Sequence, residues 1–189
     1  MALEQEIANL VNDFVAGGRP SCRDQTFDER RAGYIASTAL AGDTETRVNI
    51  SDVIIDDILL RIFSPLNDDK LSSAIVYYHG GCFVSGGFVT HDNQFRQLAF
   101  LSGCRVIAVQ YRLAPEHIYP AAHDDAEHAA NIVWQHAEML KVDRNKITLM
   151  GDSAGGHLAL ITALRVKNIA QWLPRKFGVS RGRFSYHEN

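Results

Sequence analysis

Long apolar runs are missing from this chain: nothing approaches the ~18 consecutive apolar residues of a membrane-spanning helix, although 46% of the residues are hydrophobic. An excess of basic charge is missing too. Nineteen Lys and Arg stand against 22 Asp and Glu, and the formal net charge of −3 provides no polybasic surface for nucleic acid or an anionic membrane. Cysteine is scarce: Cys22, Cys82 and Cys104 are widely spaced with no CxxC pair, the pattern of reduced thiols in a cytoplasmic protein rather than of a disulfide framework. The opening Met1-Ala2-Leu3-Glu4-Gln5-Glu6 lacks the basic start and apolar core of a secretory leader. There is no internal repeat, no metal-ligand spacing and no phosphate-binding glycine fingerprint. A protein without cofactor or metal is expected, acting on a small molecule, and 189 residues suit a single domain.

What is present is concentrated in two glycine motifs. Lys146-Ile147-Thr148-Leu149-Met150 reads as a buried parallel strand, and Gly151-Asp152-Ser153-Ala154-Gly155 follows it directly. Leu158, Ala159, Ile161, Thr162 and Leu164 then recur at helical spacing. Strand, tight glycine turn and helix together are the context that a G-x-S-x-G nucleophile elbow requires, with Ser153 as nucleophile and Asp152 in support. The alternative is that Ser153 only caps the helix. Upstream, the strand-like Ser73–Tyr78 leads into His79-Gly80-Gly81-Cys82, where consecutive glycines let backbone N–H groups turn inward together. Such fixed donors stabilise the charge of a tetrahedral intermediate, each contributing about 2.7–4 kcal/mol. Gly80, Gly81 and Ala154 are the expected donors. His79, at a strand end before a rigid turn, is expected to orient the loop by bonding its backbone rather than to act as a base.

The surrounding pattern is α/β. Leu3, Ile7, Leu10, Val11 and Phe14 recur at helical spacing, and a second helical stretch spans about 28–40. Val53-Ile54-Ile55 and Ile58–Ser64 form a hairpin around Asp56-Asp57, with a polar turn at Asn67–Lys70. Strands near 74–78, 105–110 and 146–150 alternate with helices near 91–102, 121–140 and 154–166, which predicts a mostly parallel sheet with helices on both faces. The organisation expected is an N-terminal helical, cap-like segment over 1–45, an α/β core over 46–168 and an irregular basic tail over 169–189.

Taken with Thr90-His91-Asp92, Tyr111-Arg112-Leu113-Ala114-Pro115-Glu116-His117, Tyr119-Pro120-Ala121-Ala122 and Asp125, in order and spacing, these motifs resemble the hormone-sensitive-lipase-like family of α/β-hydrolases. The bacterial acetyl esterases and other small carboxylesterases are the nearest in kind. The resemblance covers roughly residues 50–165 and implies a serine carboxylic ester hydrolase. It also implies a cap contribution from the N-terminal helices, for which packing on the sheet edge is the alternative. Cys82 stands where the family usually has a third glycine, so a Cβ narrows the acyl side of the pocket.

The family's triad acid and histidine come from loops after three further strands, which need about 90 residues at some 30 per βαβ step. Asn189 closes the chain too soon after Ser153 for that, so a C-terminally truncated member is expected, with no triad acid or histidine of its own. Pro174–Arg183 has no aliphatic run, and the 146–150 strand is therefore expected to be an exposed edge that favours self-association. No other histidine is read as the base. His157 belongs to the body of a helix and is assigned a packing or polar contact. His187, beside Glu188, lacks rigid support, and His91, His117, His123, His128 and His136 are read as solvated or structural. Three functional readings follow: a short-chain carboxylesterase, a non-catalytic relative that binds a small apolar acid or ester, and an inert fragment of a broken esterase gene.

Overall fold

A computed structural model describes residues 4–18, 20–21, 23–66, 70–166 and, as backbone, 176–179. Two helices come first, α1 (Gln5–Ala16) and α2 (Phe27–Ala36), the second continued by a 3₁₀ turn at Ser37–Ala41. A reciprocal capping box starts α2: Thr26 Oγ1 accepts the Glu29 N–H, and the Glu29 carboxylate accepts the Thr26 N–H. The strands are β1 (Val48–Ile55), β2 (Ile58–Pro65), β3 (Ser72–Tyr78), β4 (Arg105–Val109), β5 (Val142–Gly151) and β6 (Lys176–Val179). The helices between them are α3 (Phe88–Ser102), α4 (Ala121–Gln135) and α5 (Ala154–Val166). The expected hairpin closes at Asp56 and Asp57, both with positive φ (47° and 64°), as a two-residue turn of matching twist requires.

Sheet order is β1-β2-β4-β3-β5-β6. The first two junctions are antiparallel, and β4-β3, β3-β5 and β5-β6 are parallel. Period-two alternation divides β3 between two cores. Ala74, Val76 and Tyr78 join Leu60, Ile107, Val109, Ile147 and Leu149 beneath α4 and α5. Ile75 and Tyr77 join Phe63, Val106, Ala108, Phe95 and Ala99 beneath α3. Helices thus cover both faces, which is why the central strands are apolar throughout.

One expectation is corrected. Residues 169–189 are not irregular throughout, because Lys176–Val179 pairs in parallel with Thr148–Gly151. The 146–150 strand is therefore covered along the half that leads into the Ser153 turn. Ladder bonds are made by backbone, so a segment without an aliphatic run satisfies the edge all the same. His187 and Glu188 lie outside the described residues, as do Asn67–Asp69 of the polar turn. Among the described residues no helix is long and apolar enough to cross a membrane.

Phe95 of α3 is fully buried, its ring 5.3 Å from that of Phe63 and 5.1 Å from that of Tyr77. Phe95→Ala should lower unfolding free energy by about 3–5 kcal/mol, the usual result of emptying an aromatic core site, as read by urea denaturation.

Candidate active site

At the end of β5 the chain reverses into α5 through Asp152 and Ser153, and Ser153 has φ 51°. A non-glycine residue in this region is strained by about 1–3 kcal/mol and persists only where its surroundings fix it. Here Gly155 does so: a Cβ there would collide with the Tyr78 carbonyl oxygen, so α5 begins in direct contact with the end of β3. The Gly155 N–H bonds Asp152 O at 2.8 Å and the His157 N–H bonds Ser153 O at 3.1 Å, closing the turn beneath an exposed Ser153. Ser153 is not a conventional N-cap, since such a residue has extended dihedrals.

The second motif leaves β3 beside it. Gly81 (φ 128°), Cys82 (57°) and Phe83 (62°) are three consecutive positive-φ residues, and the Val84 and Ser85 N–H groups both return to Gly81 O, at 3.1 and 3.0 Å. The Gly80 N–H donates to Asp152 Oδ1 at 2.9 Å. That bond brings the two motifs together and corrects one expected donor, because the Gly80 N–H is occupied by a carboxylate. Gly81 and Ala154 keep N–H groups without an acceptor among the described residues, and so does Cys82, next along the turn. Ala154 is the first residue of α5, where the helix dipole also favours negative charge.

Asp152 is the hub. Its Oδ1 also receives the Tyr77 hydroxyl at 3.2 Å and lies 3.3 Å from His91 Nε2, while Gln94 Nε2 donates to Tyr77 Oη at 2.6 Å. Burial alone would raise this carboxyl, but the His91, Gly80 and Tyr77 contacts outweigh it and hold it below the usual aspartate range. Tyr77 and Gln94 were not singled out from sequence, and His91, read there as solvated or structural, is a buried partner of Asp152. His79 bonds the backbone of its own loop. Its Nδ1 lies 2.8 Å from Gly80 O, its own carbonyl accepts the Tyr111 hydroxyl at 2.6 Å, and the two rings stack at 4.3 Å. The Gly80 bond fixes the proton on Nδ1, leaving Nε2 buried and without a partner among the described residues. Arg112 forks onto Asp125 at 2.7 Å, joining two of the segments that carried the resemblance.

No histidine bonds the Ser153 hydroxyl among the described residues. His157 instead places its Nε2 3.1 Å from that of His123, and Phe83 packs on both rings. His117 and His128 are exposed and His136 is half-buried. Cys82 is an exposed free thiol. No group of three or more metal-ligating side chains gathers among the described residues.

Comparison with known proteins agrees with this geometry. The family described as alpha/beta hydrolase fold matches residues 75–179. An acetyl esterase of Salmonella schwarzengrund is 34% identical over 171 residues, covering 88% of this chain and 52% of its own length. An ethyl acetate hydrolase of Pseudomonas putida is 38% identical over 144 residues, 72% of this chain and 45% of its own. Among solved structures, a hyperthermophilic esterase from Pyrobaculum calidifontis superposes with TM-score 0.82 at 35% identity, over 94% of this chain and 58% of that one. The chain spans about half the length of the curated relatives it matches.

Burial drives the His79 imidazole down to about 4, so it is neutral at ordinary pH. Between about pH 6.5 and pH 4 the unfolded chain accepts a proton that the folded protein refuses. This contribution to stability is complete above that window and is lost as pH falls through it, by up to about 3 kcal/mol. Urea midpoints measured from pH 7.5 to 4.5 should therefore fall less for His79→Gln than for the parent.

Proposed function

Because the chain belongs to the α/β-hydrolase family, in its hormone-sensitive-lipase-like branch, we propose that it forms the nucleophile and oxyanion half of a short-chain carboxylic ester hydrolase. The observation that carries this is the positive φ of Ser153 at a strand-to-helix turn, bonded through its neighbour Asp152 to the glycine turn. In the proposed reaction Ser153 Oγ attacks the acyl carbon as its proton passes to an imidazole. The carbonyl oxygen becomes an oxyanion facing the N–H groups of Gly81, Cys82 and Ala154. Collapse breaks the bond to the alcohol oxygen, which leaves with the proton. Water then attacks the acyl-serine in the same way, releasing the acid.

Small esters suit the turn, since Cys82 adds a side chain where a third glycine would leave space. The names of the relatives, an acetyl esterase and an ethyl acetate hydrolase, favour the same substrate class. Free thiols at Cys82 and Cys104 favour the reducing cytoplasm. Self-association through the sheet edge would use β6 and the start of β5, which has no ladder on that side among the described residues.

The base must come from outside the described residues, which makes complementation the test. Co-expressed with the C-terminal half of the Salmonella acetyl esterase, the chain should hydrolyse 4-nitrophenyl acetate at an ordinary esterase rate of about 1–10³ per second. The chain alone should be about 10²–10⁴-fold slower, the usual contribution of a positioned base. Ser153→Ala should abolish both activities. A soluble hybrid without turnover, or one indifferent to Ser153→Ala, overturns the proposal.

A further inference from the structure

Arg31, near the middle of α2, makes four hydrogen bonds to two loops that flank the glycine turn. Its Nε donates to Val84 O at 2.8 Å and its Nη2 to Ala114 O at 3.0 Å, while Nη1 and Nη2 close on the two Glu116 oxygens at 2.7 Å each. An exposed ion pair to Glu116 alone would contribute little. The two carbonyls change that, because Val84 directly follows the turn and its N–H bonds Gly81 O, and because the Ala114 N–H bonds Phe83 O at 2.9 Å. One helical turn on from Arg31, Tyr34 Oη stands 3.3 Å from His91 Nε2, and the same nitrogen stands 3.3 Å from the Asp152 oxygen that holds the Gly80 N–H. The same helix therefore reaches both sides of Gly81 and Cys82: through Arg31 to Val84, and through Tyr34, His91 and Asp152 to Gly80.

The geometry points to Arg31 and Tyr34 as positioning residues that set the Gly81–Phe83 turn for oxyanion binding, an inference that rests on the ester-hydrolase reading above. Three successive positive-φ residues, two of them not glycine, relax unless their ends are fixed. Displacing a donor by about 1 Å from where the oxyanion forms removes much of its benefit. Only a planar fork meets two carbonyls and a carboxylate at once; lysine, a point charge, cannot. The Arg31 fork holds the Glu116 carboxyl at about 2, so the clamp persists throughout the physiological pH range. Burial, then the Asp152 charge, raises the Tyr34 hydroxyl and keeps it protonated.

Two measurements on Arg31→Met, Arg31→Lys and Tyr34→Phe test this: amide hydrogen exchange of the 79–87 peptide, and kcat and KM for 4-nitrophenyl acetate in the complemented chain. Arg31→Met should speed exchange in that peptide about tenfold or more while the 95–102 helix peptide is unchanged. It should lower kcat about 10- to 100-fold with KM within about twofold. Arg31→Lys should recover little, and Tyr34→Phe should act in the same direction more weakly. Arg165→Met, which breaks an ion pair with Asp124 and Glu127 elsewhere, should alter neither. If Arg31→Met loosens the whole protein, the single-atom change in Tyr34→Phe decides the matter by the same readouts. Faster local exchange in a parent that hydrolyses nothing would uphold the clamp and count against the esterase reading. Ser153-dependent hydrolysis with exchange and kcat unchanged in Arg31→Met and Tyr34→Phe would overturn the inference.

Discussion

The carboxylate of Asp152, drawn onto the Gly80 N–H, is the contact on which the two halves of the site depend. β3 and β5 are adjacent and parallel, so their C-terminal ends open on the same edge of the sheet, where ligands of open α/β sheets bind. Topology brings the two turns near one another, and Asp152 fixes their separation. The bond also explains a glycine: a Cβ at position 80 would occupy the space of the Asp152 carboxylate. A carboxylate only 21% exposed must in turn be satisfied, and Tyr77 and His91 do that from the side of α3.

Much of this was legible in the sequence because it is written in short-range patterns. The apolar runs gave β3, β4 and β5, the Asp56-Asp57 pair gave the hairpin, and the glycines around Ser153 gave the tight turn between a strand and a helix. Pairings between distant residues were not legible. Nothing local says that Gly80 meets Asp152, that Arg31 meets Val84, or that His157 meets His123. β6 was missed for a different reason: hydrophobic patterning finds strands by the side chains they bury, and Lys176–Val179 has no aliphatic run to show, whereas its ladder to β5 is backbone.

Cys82 is where local preference and observed conformation disagree most plainly. Its φ of 57° is one that glycine adopts without steric cost, and a Cβ there costs about 1 kcal/mol or more. The contacts around it absorb that cost: Gly81 O takes two N–H groups, Ala114 bonds Phe83, and Phe83 itself packs on His123 and His157. The thiol is thereby displayed on the surface of the turn, while the phenyl ring beside it is partly buried.

The strand order carries a consequence for biosynthesis. β1 and β2 are neighbours in sequence and pair as soon as both leave the ribosome, whereas β3 lies between β4 and β5 and pairs with Gly151 only after the whole of α3, β4 and α4 has been made. Closing so long a loop is entropically slow compared with the hairpin. Through that interval β3, apolar on both faces, has one open flank that invites pairing with another nascent chain. The Ser153 turn, last of the central pieces to be synthesised, is thus also the one whose docking closes the open flank of β3.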